Sequence, residues 1–183
     1  MTSGCQATDI KIIGGVFDTI KSVEIRMFNI PQIDGGVKIS NTFFSAYNSS
    51  TEQFIYANNC YHIYTETLEM YANATSITSV YLVSCHNCNM SFNTNNGGYA
   101  FVDDSNCSNN NIHDCSCSTT VSQSGSFLIN GTEQSFSGLP ISGNFTTGVT
   151  INGNNNILIA CPINISGTKY TNNGTGNQIA YIA

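Results

Sequence analysis

Three stretches of the chain can be laid over one another: Ile55-Tyr56-Ala57-Asn58-Asn59-Cys60, Leu82-Val83-Ser84-Cys85-His86-Asn87-Cys88 and Phe101-Val102-Asp103-Asp104-Ser105-Asn106-Cys107. Each reads as a short strand, then polar residues, then Asn-Cys. Each is followed by a second apolar stretch: Tyr61-His62-Ile63-Tyr64, Met90-Ser91-Phe92 and Ile112-His113. Val37-Lys38-Ile39-Ser40-Asn41-Thr42-Phe43-Phe44 is an earlier copy with Thr in the Cys slot. Self-similarity at a period of roughly 20 to 30 residues is the signature of a solenoid. One such coil cannot bury its apolar face alone and must stack on its neighbours. Asn tolerates the left-handed backbone of a tight bend, and stacked Asn side chains can hydrogen-bond as a ladder. This reading puts Asn59, Asn87 and Asn106 at equivalent bends of consecutive coils, with the following thiol inside.

A simpler pattern precedes these copies. Ile10-Lys11-Ile12, Val23-Glu24-Ile25 and Val37-Lys38-Ile39 are each apolar, charged, apolar. Strand alternation sends the charge to one face and the apolar pair to the other. Gly14-Gly15, Asn29-Ile30-Pro31 and Asp34-Gly35-Gly36 supply breakers between them. Helix signals are nearly absent. The best amphipathic stretch, Thr65 to Tyr71, is barely two turns and reads as a loop or one helical turn.

After about residue 120 the pattern changes. Ile157, Ile159, Cys161, Ile163 and Ile165 alternate onto one face, with Val149-Thr150-Ile151 and Ile179-Ala180-Tyr181-Ile182 as flanking strands. Asn152-Gly153 and Asn173-Gly174 have the chemistry of hairpin turns. The expected organisation is an all-β chain, with a β-helix solenoid over residues 1–120 and an antiparallel segment over 121–183. That segment would cap the solenoid or join subunits, since an open solenoid end exposes apolar surface and unpaired backbone.

The coils with Asn at their bends, followed by a β-rich end piece, resemble the right-handed parallel β-helix of the pectate-lyase-like superfamily. The low charge and the opening Met1-Thr2-Ser3-Gly4-Cys5, which lacks the basic and apolar regions of a signal peptide, resemble its viral and phage tailspike or receptor-binding fibre members. The resemblance covers roughly residues 8–118. It implies a homotrimer that binds or cleaves surface polysaccharide, placed on the virion surface. An extracellular or cell-surface adhesin or filament protein is the alternative.

Composition narrows the partners. Charged residues make up 9% and the net charge is −6, against roughly 25% charged in an ordinary soluble domain. The five basic residues are scattered, so the clustered cations that nucleic acid needs are missing. Anionic membrane surfaces are disfavoured for the same reason. No apolar run approaches the ~20 residues of a membrane span.

Several motifs could carry chemistry. Glycoside hydrolysis needs two carboxyl groups roughly 5 to 9.5 Å apart. Asp103-Asp104 is the most concentrated acid, and Glu66, Glu69 and Asp114 could lie on neighbouring coils. Lyases of the resembled architecture use a calcium-binding acidic cluster and a basic residue, whereas the single arginine, Arg26, is far from these acids in sequence. Cys85, Cys88, Cys115 and Cys117 have spacings that could bind zinc tetrahedrally or form a disulfide. The reading adopted is reduced, buried thiols used as small apolar fillers, with no cofactor. Asn-x-Ser/Thr occurs at Asn48, Asn73, Asn89, Asn106, Asn130, Asn144, Asn164 and Asn173. The chain has no Trp, so a sugar platform would rest on Tyr47, Tyr56, Tyr61 and Tyr99. The functional expectation is a non-enzymatic receptor-binding component attaching to host-surface glycan or glycoprotein, with a depolymerising glycosidase as the alternative. Loops 46–53, 65–76 and 93–98 are the expected contact surface.

Overall fold

The computed structural model describes residues 9–19, 25–30, 36–46, 52–72, 76–95 and 97–180. Among them there is no helix. Sixteen strands follow in chain order: β1 Asp9–Thr19, β2 Ile25–Phe28, β3 Gly36–Ala46, β4 Gln53–Asn58, β5 Ile63–Ala72, β6 Thr78–Val83, β7 Asn89–Asn95, β8 Phe101–Asp103, β9 Asn111–His113, β10 Ser116–Ile129, β11 Ser135–Ser137, β12 Ile141–Ile151, β13 Ile157–Ile159, β14 Ile163–Ile165, β15 Thr168–Asn172 and β16 Gln178–Ala180. Each strand pairs in parallel with the equivalent strand of the next coil. The result is a β-solenoid of about six turns, a β-helix fold.

Three ladders run the length of the stack and give the coil three flat faces. On the first face, Lys11, Lys38, Tyr64, Asn89, Asn111, Ser135, Ile157 and Gln178 form one outward row. The next residue of each strand turns inward, giving the row Ile12, Ile39, Thr65, Met90, Ile112, Phe136, Leu158 and Ile179. On the second face Phe17, Phe44, Met70, Thr94, Cys117, Ile141 and Ile163 stack. On the third, Ile25, Ile55, Val80, Phe101, Phe127, Val149 and Tyr170 stack. Inside, the Phe101, Phe127 and Phe136 rings lie with centroids 5.6 to 6.5 Å apart. Burying a ring of that size fully is worth about 1.5–3 kcal/mol. The alternation read at Lys11 and Lys38 is therefore what faces the core in register, coil after coil.

The bends are residues in the left-handed region. One corner is formed by Asn29, Asn59 and Ser84, another by His62, Asn87, Asn109, Glu133, Asn155 and Gly176, and a third by Gly14, Asn41, Thr67, Asp114, Gly138 and Ala160. Outside the first corner Asn side chains form the ladder: Asn59 Nδ2 donates to Asn29 Oδ1 at 2.9 Å, Asn152 to Asn130 at 2.8 Å and Asn173 to Asn152 at 2.8 Å.

Several expectations are corrected. Asn59 and Asn87 do not occupy equivalent bends: Asn59 matches Ser84, because Asn58 pairs with Val83, whereas Asn87 belongs to the second corner. Asn106 has no place in either of these rows. Thr65 to Tyr71 lies in β5, with Leu68 and Met70 inward and Glu66 and Glu69 outward. The segment after residue 120 is not antiparallel. Its strands continue the parallel stack, and the Asn-Gly pairs are coil corners. Ile157, Ile159 and Cys161 do not share a face either. The left-handed Ala160 shifts the phase by one, so that Leu158, Cys161 and Ile163 are buried while Ile159 is 49% exposed.

Candidate ligand-binding cleft

The third corner is interrupted once. Between the inward residues Thr65 and Leu68 stand Glu66 and Thr67, and between Ile112 and Cys115 stand His113 and Asp114. Between the matching residues of β7, Met90 and Phe92, stands only Ser91. The left-handed corner residue of the neighbouring coils, Thr67 on one side and Asp114 on the other, has no counterpart in β7. A coil one residue shorter cuts the corner, and the surface is indented there.

The Thr65 side chain repairs the backbone at this point. Its Oγ1 accepts from Ser91 N at 3.0 Å and donates to Ser91 O at 3.1 Å. Ser91 Oγ donates to Asp114 O at 3.3 Å, which closes the floor against the next coil.

The indentation is a cleft of about 540 Å³, within the range of small-ligand sites. Its walls come from four coils: Lys38 from β3, Tyr64, Glu66 and Thr67 from β5, Asn89, Ser91 and Asn93 from β7, and His113 and Asp114 beyond. Lys38 Nζ lies 3.3 Å from Glu66 Oε2, and His113 Nδ1 lies 3.0 Å from Asp114 Oδ2. Both pairs are solvent-exposed and contribute little to stability. They hold charged heads at opposite ends of the cleft. Tyr64 is 43% exposed. Its ring stacks against His62 at 6.5 Å with the planes 13° apart, so one ring face is held in a fixed orientation. Asn111 Nδ2 donates to Asn89 Oδ1 at 3.2 Å, and Ser116 donates to Asn93 Oδ1 from both Oγ and N, at 2.7 and 3.2 Å. Both amides are thereby oriented, with their NH₂ groups pointing away from those contacts.

The residues singled out in the sequence are placed as follows. Tyr56 sits on the outside of the third face, 5.6 Å from Phe28 and 5.8 Å from Tyr81, with the Arg26 guanidinium 5.7 Å over its ring. Tyr61 packs on His86 at 4.9 Å. Tyr99 lies against Gly125, where a Cβ would come within 2.8 Å of its ring. None of these three lines the cleft, and Tyr47 lies outside the described residues. Asp103 is buried in the core and Asp104 is half-buried at the surface, accepting from Ser84 N at 2.9 Å. The two carboxyls face no common groove. Glu66 and Asp114, by contrast, both line the cleft, on coils two strand spacings, or about 10 Å, apart.

The cysteines form interior rows. Cys60, Cys85 and Cys107 succeed one another at the first corner, in step with the bridged residues Tyr61, His86 and Ser108. Cys85 N donates to Cys107 Sγ at 3.3 Å. The Cys85 thiol holds that of Cys60 down at about 7, and Cys85 is itself pushed up by that contact and by burial. Burial drives Cys88 and Cys117 up to about 12, and Cys115 upward as well. Cys115 lies in the row of Leu68 and Phe92, next to Cys117 in the row of Met70 and Thr94. Among the described residues no three His, Cys, Asp or Glu side chains converge as a metal site.

Sequence reasoning reached Glu66 and Asp114 but missed Lys38, Tyr64, Asn89, Asn93 and His113 as one group. The signal was the missing residue in Met90-Ser91-Phe92, which becomes visible only once the coils are aligned. No family model, curated protein or solved structure matches the chain.

Proposed function

We propose that this chain is a rigid, non-enzymatic glycan-binding solenoid that attaches a viral particle to host-surface polysaccharide through the cleft at Ser91. The observation that carries the reading is the short corner. It opens a polar recess in a corner that the neighbouring coils keep, and presents one fixed tyrosine ring among oriented amides. A pyranose has an apolar ring face that packs on an aromatic ring. Its hydroxyls both donate and accept, so they pair with amides, with carboxylate acceptors and with ammonium donors. The low surface charge and the resemblance to tailspike and fibre proteins support the virion setting. Asn130 and Asn173, two of the glycosylation motifs, use their amides in the outer ladder, which favours an unglycosylated chain over a secreted adhesin.

The test is calorimetric titration of wild type and Tyr64→Ala with a panel of neutral and acidic oligosaccharides of at least four sugars. The expected result is binding of one class by wild type and at least a tenfold loss in the variant, with unchanged thermal stability. Equal affinity in the two proteins, or no binding across the panel, overturns the reading.

A second reading, hydrolysis of the bound polysaccharide, is favoured by one observation. Glu66 and Asp114 both line the cleft, as the carboxyl pair of an inverting glycosidase must, which works at roughly 6.5–9.5 Å. It requires reducing-sugar release that Glu66→Gln and Asp114→Asn each abolish while glycan binding persists.

A further inference from the structure

Asp103 is 1% exposed and occupies the interior row that Met27, Ala57 and Leu82 fill on earlier coils. Its Oδ1 accepts from Asn130 N at 2.6 Å and Gly131 N at 3.3 Å, and its Oδ2 accepts from Gln134 Nε2. Gln134 belongs to a column of amides at the second corner, the buried Asn110, Gln134 and Asn156 and the half-buried Asn177.

Three of the four work alike. Asn110 Nδ2 donates to Cys85 O at 3.1 Å, while its Oδ1 accepts from Cys88 N at 2.9 Å. Asn156 donates to Gly131 O at 3.0 Å and accepts from Gln134 N at 2.9 Å. Asn177 donates to Gly153 O at 2.9 Å and accepts from Asn156 N at 2.7 Å. Gln134, one methylene longer, turns its Nε2 to Asp103 instead of making the corresponding bond to Cys107 O. Its Oε1 is buried with no hydrogen-bond partner. A Cβ on Gly131 would come within 2.6 Å of Cys107 O and 2.7 Å of Asp103 Oδ2, and would overlap Gln134 Nε2. Cys107 O keeps the backbone donor Thr132 N at 3.0 Å but lacks the second, amide donor that Cys85 O receives from Asn110 in addition to Ser108 N. With Gln134 Oε1 orphaned as well, the rung is one side-chain donor short of its neighbours.

We infer that Asp103 is carried as the neutral acid: its Oδ2–H supplies to the Cys107 carbonyl the donor that an asparagine amide supplies on the other coils, and loss of this proton loosens the solenoid at this rung. Burial raises the Asp103 carboxyl to about 7, against the lowering effect of the Asn130, Gln134 and Gly131 donors. The titratable groups around it act in the same direction or are neutral. Asp104, next in the chain, raises it further. The thiols of Cys107 and Cys85 are themselves driven up, and Glu133 is exposed on the outer side. The folded value lies above the ordinary 3.8, so the native state holds the proton more tightly than the unfolded chain. This contribution to stability is complete below about 4 and disappears as pH rises through about 7.

The test compares urea unfolding of the full chain and of Asp103→Asn at about pH 5.5 and about pH 8.5. The wild-type midpoint is expected to fall between the two pH values. Asp103→Asn, whose amide donates at every pH, is expected to be at least as stable as wild type at the higher pH and to show a smaller difference between the two. A variant less stable than wild type at the higher pH, with the same pH difference, overturns the inference. If the variant does not fold, the carboxyl-carbon titration of Asp103 in folded wild type decides. A midpoint near 7 supports the proton-held rung, and one at the ordinary 3.8 overturns it.

Discussion

Thr65 bonds twice to Ser91, accepting from its N at 3.0 Å and donating to its O at 3.1 Å. A side chain from one coil thus stands in for the backbone bonds that the shorter coil cannot make. Thr65 is in the inward row otherwise held by Ile12, Ile39, Met90 and Ile112, so its hydroxyl is there for this purpose rather than for packing. Thr65→Val keeps the shape and removes both bonds, leaving a part-buried N–H and C=O unsatisfied. The expected loss is about 1–3 kcal/mol, read as a lower urea midpoint at unchanged m-value.

The inner and outer asparagine columns should differ in cost. Asn156 is fully buried and serves two coils, whereas Asn152 bonds at the exposed surface. Replacing a buried group with two hydrogen-bond partners leaves both orphaned. Asn156→Ala is expected to cost about 2–4 kcal/mol and Asn152→Ala about 1 kcal/mol or less. Chemical denaturation of both variants checks the order, and equal losses would show that the inner column is not what ties the coils together.

Glycine is required at Gly131 by close approach. A methyl there would strike Gln134, Cys107 O and Asp103 Oδ2 together. Gly14 has the opposite character: its φ is +68° and no atom lies within 4 Å of a built Cβ, and its counterpart on the next coil is Asn41, at φ +51°. Gly131→Ala is therefore expected to cost several kcal/mol, in line with overpacking of a core, and Gly14→Asn well under about 1 kcal/mol, since Asn tolerates the left-handed region. Thermal denaturation of the two variants makes the comparison.

How much of this could be read from the sequence depended on where the repeat was regular. The apolar-charged-apolar triplets at Lys11 and Lys38 gave both the strand and its outward face, and the two lysines do pair. The thiols of Cys60, Cys85 and Cys107 do stack. Asn87 was misaligned because Asn also forms the second corner, and residue type alone does not distinguish two left-handed bends in one coil. Strict alternation points Ile159 inward because it cannot register the phase shift at Ala160, a residue with no turn preference. Asn152-Gly153 suggested a hairpin because the same dipeptide suits a coil corner; only the register at a spacing of one coil separates them. The cleft was hidden for a different reason. Its walls come from residues 38 to 114, and their convergence depends on one missing residue at Ser91.

The short corner at Ser91 makes the cleft that we propose binds glycan. Inserting one glycine directly after Ser91 restores the length of the neighbouring coils and fills the indentation without altering any wall residue. The measurement is oligosaccharide affinity of this insertion variant, followed through the ring proton signals of Tyr64. The expected result is a folded protein of wild-type stability or better whose Tyr64 signals no longer respond to the ligand that shifts them in wild type. An insertion variant that folds and binds that ligand as wild type does would show that the short corner does not make a binding site.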